Sequence, residues 1–506
     1  MWDYPLKKGK KLAAVLLAVC MLAVCMLAAG CGKAAPADAG FWQQPSLHEY
    51  HADAVYDDEK KTVAGILQVK YTNPAGKTLE SIPFMLYPNA FKKVDTAPFI
   101  NEEMGQAYPK GFSPGGIEIN QTKVNGQEAK IKLGNPDETL LEISLPRPLA
   151  PGETTEVFFA FTVQLPHCLG RFGYGEKTVN LCNFLPIACA WENGAFLHHP
   201  YGAVGDPFVS DCSDYTVVLN VPEAMETAHT GERKEIKTEN GRKQLTIQAA
   251  HVRDFAAVLS RSFAVDTYHV KSGGRRVTVR SYYEKDCKQG GKLAGQAAKK
   301  AMETFGKMYG MYPYENFCVV QTDFFIGGME YPGLVLLDQS LYTGQGLADL
   351  ERVSVHETAH QWWYGVVGND QVLQPWLDEA LTDYSTLLFM GQTKGQEEEQ
   401  EFYQTYVVLL SEIMNPLYAR EQCKAKVNAP ATAFQNNGLY SLVVYTEGTM
   451  MLRKIEQAVG REKMIQALAA YYQAYAGLRA DAENFWQTME EKTGQNVRMM
   501  EEEFLN

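Results

Sequence analysis

Apolar and polar positions change their period once along this chain. From about His48 to Phe263 the apolar residues fall in short β-branched runs, such as Thr154 to Val163, Tyr215 to Val221 and Leu245 to Ile247. Turn-forming groups separate the runs: Asn73-Pro74-Ala75-Gly76, Asn125-Gly126, Pro151-Gly152 and Asn240-Gly241. Runs closed in this way predict antiparallel strands, because Asn and Gly accept the left-handed backbone of tight hairpins. An antiparallel β-sandwich is therefore expected over residues 48–263. After a further strand at Arg276 to Tyr283 the apolar spacing lengthens to three and four. Helices are expected at about Lys292 to Tyr309, Arg352 to Tyr364, Leu377 to Phe389 and Gly448 to Gln473. A short strand near Phe317 to Gln321 leads into Gly327-Gly328. Residues 264–506 read as a second, mainly helical domain, and the fold class as α+β and multidomain. The acidic run Glu397-Glu398-Glu399 reads as a solvated helix face.

The first thirty residues belong to neither pattern. Lys7, Lys8, Lys10 and Lys11 precede an uncharged run from Leu12 to Ala29, the layout of an export signal. The run closes on Leu27-Ala28-Ala29-Gly30-Cys31-Gly32, which resembles a bacterial lipobox, with Ala28 where leucine is usual. That resemblance implies cleavage before Cys31, a lipid on Cys31, and residues 31–47 as a tether, so that the bilayer becomes a partner. An uncleaved anchor is the alternative, the run falling a little short of the roughly 20 residues that span a bilayer. In either case the lysines stay cytoplasmic and the rest of the chain lies on the extracytoplasmic face of a bacterial membrane. Loss of the leader removes a net of three positive charges and takes the formal charge from −13 to −16. That balance argues against nucleic acid as a partner. Beyond Cys31 lie Cys168, Cys182, Cys189, Cys212, Cys287, Cys318 and Cys423, irregularly spaced and without a C-x-x-C pair. Most are expected to be small buried side chains, a bridge among the first four being possible in an exported protein.

The candidate chemistry sits in the helical part, at His356-Glu357-Thr358-Ala359-His360, with Glu379 nineteen residues further on. Two histidines four apart project from one helix face and can reach one ion, with Glu357 beside them as a general base. The motif alone is weak, and a surface helix would also account for it. A second predicted helix, Trp376 to Tyr384, strengthens it by carrying Glu379 and, one turn later, Asp383. Three protein ligands with a position left open describe a catalytic zinc site. Asp383 is placed to accept the second ring N–H of His356 or His360, as carboxylates often do for metal-bound imidazoles.

His356 to Trp363, Trp376-Leu377-Asp378-Glu379 and the upstream Gly327-Gly328-Met329-Glu330-Tyr331 together resemble the zinc aminopeptidase family of aminopeptidase N and leukotriene hydrolase. Val69 to Asn73 and Phe84 to Phe91 extend the likeness into the first domain. The resemblance implies a thermolysin-like zincin catalytic domain, one zinc ion, and peptide substrates with a free amino terminus. It makes Gly327, Gly328 and Met329 an edge strand for the substrate backbone and Glu330 the anchor of the substrate ammonium. It also implies an oxyanion-stabilising tyrosine, for which Tyr445-Thr446-Glu447-Gly448 is the best match and Tyr440 a nearby rival. The chain departs from the family at Tyr331, where asparagine is usual, and at Glu447, where lysine is usual. The family's further acidic or glutamine anchor in the first domain has no evident match, and the large helical domain that roofs the site in many relatives is not seen. Two alternatives stay open: a zinc endopeptidase of the same fold, and an inactive surface binding lipoprotein.

Overall fold

The computed structural model describes residues 40–499 and Phe504. The chain divides into Met1–Phe41 and Trp42–Asn506, and the architecture below is that of the second unit. The expected export signal, Cys31 and most of the tether lie outside the described residues. Among the described residues no helix is long and apolar enough to cross a membrane.

Strands whose apolar residues alternate come together first. In Glu49–Asp57 the side chains of Tyr50, Ala52, Ala54 and Tyr56 are buried, and in Ser213–Pro222 those of Tyr215, Val217, Leu219 and Val221. One buried and one solvated face per strand is what period two produces. These strands belong to an eight-stranded sheet in the order Glu232–Glu239, Arg242–Val252, Ser213–Pro222, Glu49–Asp57, Thr62–Thr72, Thr154–Gln164, Gly116–Val124 and Gln127–Glu128. Its ladders are antiparallel except for Glu49–Asp57 against Ser213–Pro222, which run parallel. Asn240-Gly241 forms the tight turn between Glu232–Glu239 and Arg242–Val252, both residues at positive φ. Two four-stranded sheets supply the facing layer, one centred on Leu79–Met85 and Leu140–Leu149, the other on Thr178–Cys182 and Ala256–Ser260. A shared apolar cluster joins the layers, with Phe84 edge-on to Phe159 at 5.1 Å between ring centres.

A five-stranded mixed sheet begins at Phe263, in the order Phe263–Ser272, Arg275–Glu284, Asn316–Thr322, Leu334–Asp338 and Gly328–Met329. The α-helices of eight residues or more among the described residues are α1 (Lys288–Met308), α2 (Leu347–Ala359), α3 (Trp376–Lys394), α4 (Gln396–Tyr403), α5 (Leu410–Leu417), α6 (Gly448–Val459), α7 (Arg461–Ala474) and α8 (Ala482–Thr493). Two π-helical stretches, Gln404–Leu409 and Ser441–Glu447, sit between them.

Three expectations need correction. The helix expected over Arg352 to Tyr364 starts earlier and ends at Ala359, because Trp362 and Trp363 are fully buried and the chain turns inward to seat them. The single helix expected over Gly448 to Gln473 is two, broken at Gly460, whose φ of +87° a helix cannot continue through. Glu397 and Glu398 are exposed, but Glu399 is buried and paired with Arg453 and Arg461, so the acidic run is not wholly solvated. The seven cysteines beyond residue 40 are unbonded, six of them buried.

Candidate active site

Helix geometry brings the first three groups together. His356 lies in the last turn of α2 and His360 caps it in helical conformation, so both rings leave the same face. Helix α3 crosses and delivers Glu379 from its first turn. The His356 and His360 Nε2 atoms are 3.1 Å apart, and Glu379 Oε2 stands 3.5 Å from the first and 3.2 Å from the second. All three residues are buried.

The ring orientations show what this cluster lacks. His356 Nδ1 meets Asp383 Oδ1 at 2.8 Å, and His360 Nδ1 has Trp363 O at 3.2 Å and Thr382 Oγ1 at 3.1 Å. With those nitrogens donating outward, both Nε2 lone pairs face each other and a carboxylate oxygen that has no hydrogen-bond donor among the described residues. A cation resolves that arrangement. Bonds of about 2.0–2.1 Å in a tetrahedron put donor atoms about 3.3 Å apart, the spacing found here. Two imidazoles and one carboxylate are also the donor set of catalytic zinc sites. His356, His360 and Glu379 therefore fit zinc.

Glu357, the residue after His356 on α2, lines the same cavity. Burial pushes its carboxyl up to about 8, against the pull of His356 and His360. It packs directly on the edge strand Gly328–Met329: a Cβ on residue 328 would sit 2.1 Å from Glu357 Oε1. Gly328 is thus required for backbone and base to approach this closely. Gly328 and Met329 pair antiparallel with Leu337 and Leu336, leaving the strand's other edge free, and Gly327 turns the chain into it at φ +77°. Met329 is buried beneath this edge. Glu330 follows, with a carboxylate oxygen within 4.8 Å of one of Glu357 and of a ring nitrogen of His360. Gln371 holds Glu330 in place: its amide nitrogen donates to Glu330 Oε1 at 2.8 Å and to Asp378 Oδ2 at 2.7 Å. Tyr331 donates to Asn183 Oδ1 at 2.6 Å and does not line the cavity.

Tyr445 lies in the π-helical stretch, its ring stacked on that of His356 at 5.9 Å. Tyr440 stands edge-on to Tyr445 at 5.8 Å, is buried, and has no hydrogen-bond partner for its hydroxyl among the described residues. Both line the cavity, whose volume is about 340 Å³. Glu447 is held bidentately by Arg420, at 2.7 and 2.9 Å.

The first part of the chain closes the cavity with Arg171, Tyr201 and Asp206. Arg171 and Asp206 form a buried ion pair. Burial raises the Asp206 carboxyl, Arg171 lowers it, and Glu330 and Glu379 raise it again, leaving it at about 7. Sequence reading did not find Asp206, Arg171 or Gln371. The first two sit in irregular segments more than a hundred residues from the motif, and Gln371 lies in the turn between the two helices. A cleft of similar volume, about 370 Å³, between α7 and α8 is lined by Gln473, Gln487, Glu491 and Lys492 and holds none of these groups.

Residues 294–504 match the family described as Peptidase family M1 domain. The chain is 25% identical over 239 residues to aminopeptidase 2, mitochondrial, of Saccharomyces cerevisiae, covering 46% of this chain and 25% of that protein. It is 26% identical over 239 residues to aminopeptidase N of Escherichia coli (45% and 26%), and 20% identical over 398 residues to aminopeptidase 2 of Candida albicans (75% and 42%). The matched stretches thus span between a quarter and about two-fifths of these relatives' length. The M1 zinc metallopeptidase of Deinococcus radiodurans superposes with a TM-score of 0.59 at 19% identity, covering 91% of this chain and 95% of that one. A point mutant of that metallopeptidase, bound to a Tyr-Ser-Ala substrate, gives 0.58 at 17%, covering 91% and 94%. This likeness shows a shared fold of sheet-built first part and helical second part.

Proposed function

With residues 294–504 a peptidase family M1 domain, this protein is, we propose, a zinc-dependent aminopeptidase that removes amino-terminal residues from peptides. One observation carries the reading: Glu330, Glu357 and His360 bring their ligand atoms within 4.8 Å of one another in a single cavity. A carboxylate that pairs with an ammonium, set beside a general base, measures the substrate from its end.

His356, His360 and Glu379 would hold a single zinc ion, the second acidic cluster sharing His360 with the first. When bound, zinc supplies a Lewis acid that polarises a carbonyl. Glu357 takes the proton from the attacking water and passes it to the leaving amine, a role suited to a buried carboxylate in the same cavity as His356, His360 and Glu379. Tyr445, stacked on His356, donates its phenol to the oxygen that gains negative charge. Glu330, with one oxygen held by Gln371, offers the other to the substrate ammonium. Peptide substrates are further supported by the Tyr-Ser-Ala bound to the structurally similar Deinococcus radiodurans metallopeptidase mutant.

Hydrolysis of free and N-acetylated aminoacyl amides by the zinc-loaded protein tests this. Cleavage confined to free amines is expected; cleavage of blocked substrates would replace the reading with an endopeptidase, and no cleavage would leave a binding protein. The leader and Cys31, outside the described residues, support a lipid-anchored location on the extracytoplasmic face. Labelled fatty acid fed to the cells should be incorporated into the parent protein and not into Cys31→Ser, and an unlabelled parent would refute the lipid anchor.

A further inference from the structure

The cavity has an outer wall that the proposed chemistry does not use. Phe402 of α4, Tyr406 and Val407 of the π-helical stretch, and Leu410 and Met414 of α5 line it. The same segment continues past the cavity with its apolar side chains in solvent. Leu409, Leu410, Ile413 and Leu417 are 49, 38, 55 and 69% exposed. Four of the fourteen large exposed apolar residues among the described ones thus fall within nine positions. Leu410, Ile413 with Met414, and Leu417 are three and four apart, so they form one stripe along α5. Exposed apolar residues gathered in a stripe mark a binding surface, whereas scattered ones need no explanation.

The direction of the stripe follows from α2. At its His360 end stands Glu330, the proposed anchor of the substrate amino terminus. At its other end Arg352, one turn before His356, lies over the ring of Tyr406 at 5.2 Å, and the Tyr406 hydroxyl reaches Asp349 Oδ1 at 3.4 Å. A peptide held by its ammonium at Glu330 therefore leaves the His356, His360 and Glu379 cluster toward Tyr406 and Leu410. From Leu410 to Leu417 is seven residues of helix, about 10 Å at about 1.5 Å each, or about three residues of extended peptide at about 3.3 Å each.

We propose that the stripe Leu410, Ile413, Met414 and Leu417 binds the substrate beyond the scissile bond, so that peptides with large apolar side chains at their third and fourth residues are preferred. This rests on the aminopeptidase reading. Partly covering two leucine side chains on an exposed stripe is worth about tenfold in kcat/KM. The zinc-loaded full-length protein is given an aminoacyl amide and two tetrapeptides that share their first two residues and end in Leu-Leu or Ser-Ser. The Leu-Leu peptide should be cleaved about tenfold more efficiently, mainly through KM. In Ile413→Ser with Leu417→Ser that ratio should fall toward one; both positions are exposed, so neither change threatens folding. Equal rates on the two peptides, with the amide cleaved, would overturn this inference and leave the aminopeptidase standing. An unchanged ratio in the double variant would overturn it too, as would loss of a dimer in the variant with no change in ratio, which would make the stripe a contact between two copies. Silence on all three substrates would remove the inference together with the reading beneath it.

Discussion

Single side chains carry most of the proposed chemistry, and their effects should separate. Glu357→Gln keeps size and hydrogen bonding but cannot accept a proton, so kcat should fall by about 10²–10⁴-fold while zinc content, measured by metal analysis, stays at that of the parent. Asp383→Asn weakens the acceptor of the His356 ring N–H at 2.8 Å; zinc affinity, read by competition with a chelator, should fall about 10–100-fold. Gln371 touches no zinc ligand but holds Glu330 Oε1. Gln371→Leu should raise KM for free-amine substrates several-fold with less effect on kcat, and a pure loss of kcat would contradict its positioning role. The spacing of His356, Glu357, His360 and Glu379 was legible because helical periodicity alone sets two of these distances. Gln371 was not, because a glutamine in a turn carries no local pattern that singles it out.

Elements place those residues, and two contacts between elements are testable. Gly328→Ala would drive a methyl into Glu357, whose Oε1 would be 2.1 Å away, so either the edge strand or the base must shift. Activity should drop at least tenfold, with the fold, followed by circular dichroism, retained. In the sheets, His48 accepts the Thr72 N–H at Nδ1 and stacks on Tyr71, and His229 lies in the strand Glu226–His229. Burial lowers their pKa values from 6.5 to about 3 and about 4. Between those values and 6.5 the unfolded chain binds more protons, so stability is full above about pH 7 and is lost as pH falls. The loss should reach about 1.4 kcal/mol per pH unit for each histidine. Urea midpoints at pH 7 and pH 5 measure it, and an equal slope in His48→Gln would exclude that residue as a source. Strand positions followed the alternation of apolar residues closely. Helix ends did not, since the burial of Trp362 and Trp363 cuts α2 short at Ala359.

Across the whole molecule the sheet-built and helical parts are tied at Arg253. Its guanidinium donates to the carbonyls of Ser210 at 3.0 Å, Tyr364 at 2.7 Å, Val366 at 3.1 Å and Leu478 at 2.5 Å. Arg253→Met takes the donor from the Ser210 and Tyr364 carbonyls, while those of Val366 and Leu478 keep the N–H groups of Gly477 and Gly368; it should cost about 3 kcal/mol, and a thermal midpoint within about 2 °C of the parent's would refute this. The same assembly brings Asp206 and Arg171 from the sheet-built part to the cavity that Glu330 and Glu379 enter from the helical part. By itself the amino-acid sequence determined the strand-to-helix change of period, the helix that aligns His356 with His360, and the turn later that adds Asp383 after Glu379, because each depends on neighbours within a few residues along one backbone. Only the tertiary structure decided that Asp383 serves His356, that Tyr331 donates to Asn183, and that Asp206, Arg171 and Gln371 surround Glu330. Those contacts join residues whose separation along the chain says nothing of their distance in space, and the packing of sheets against helices sets them.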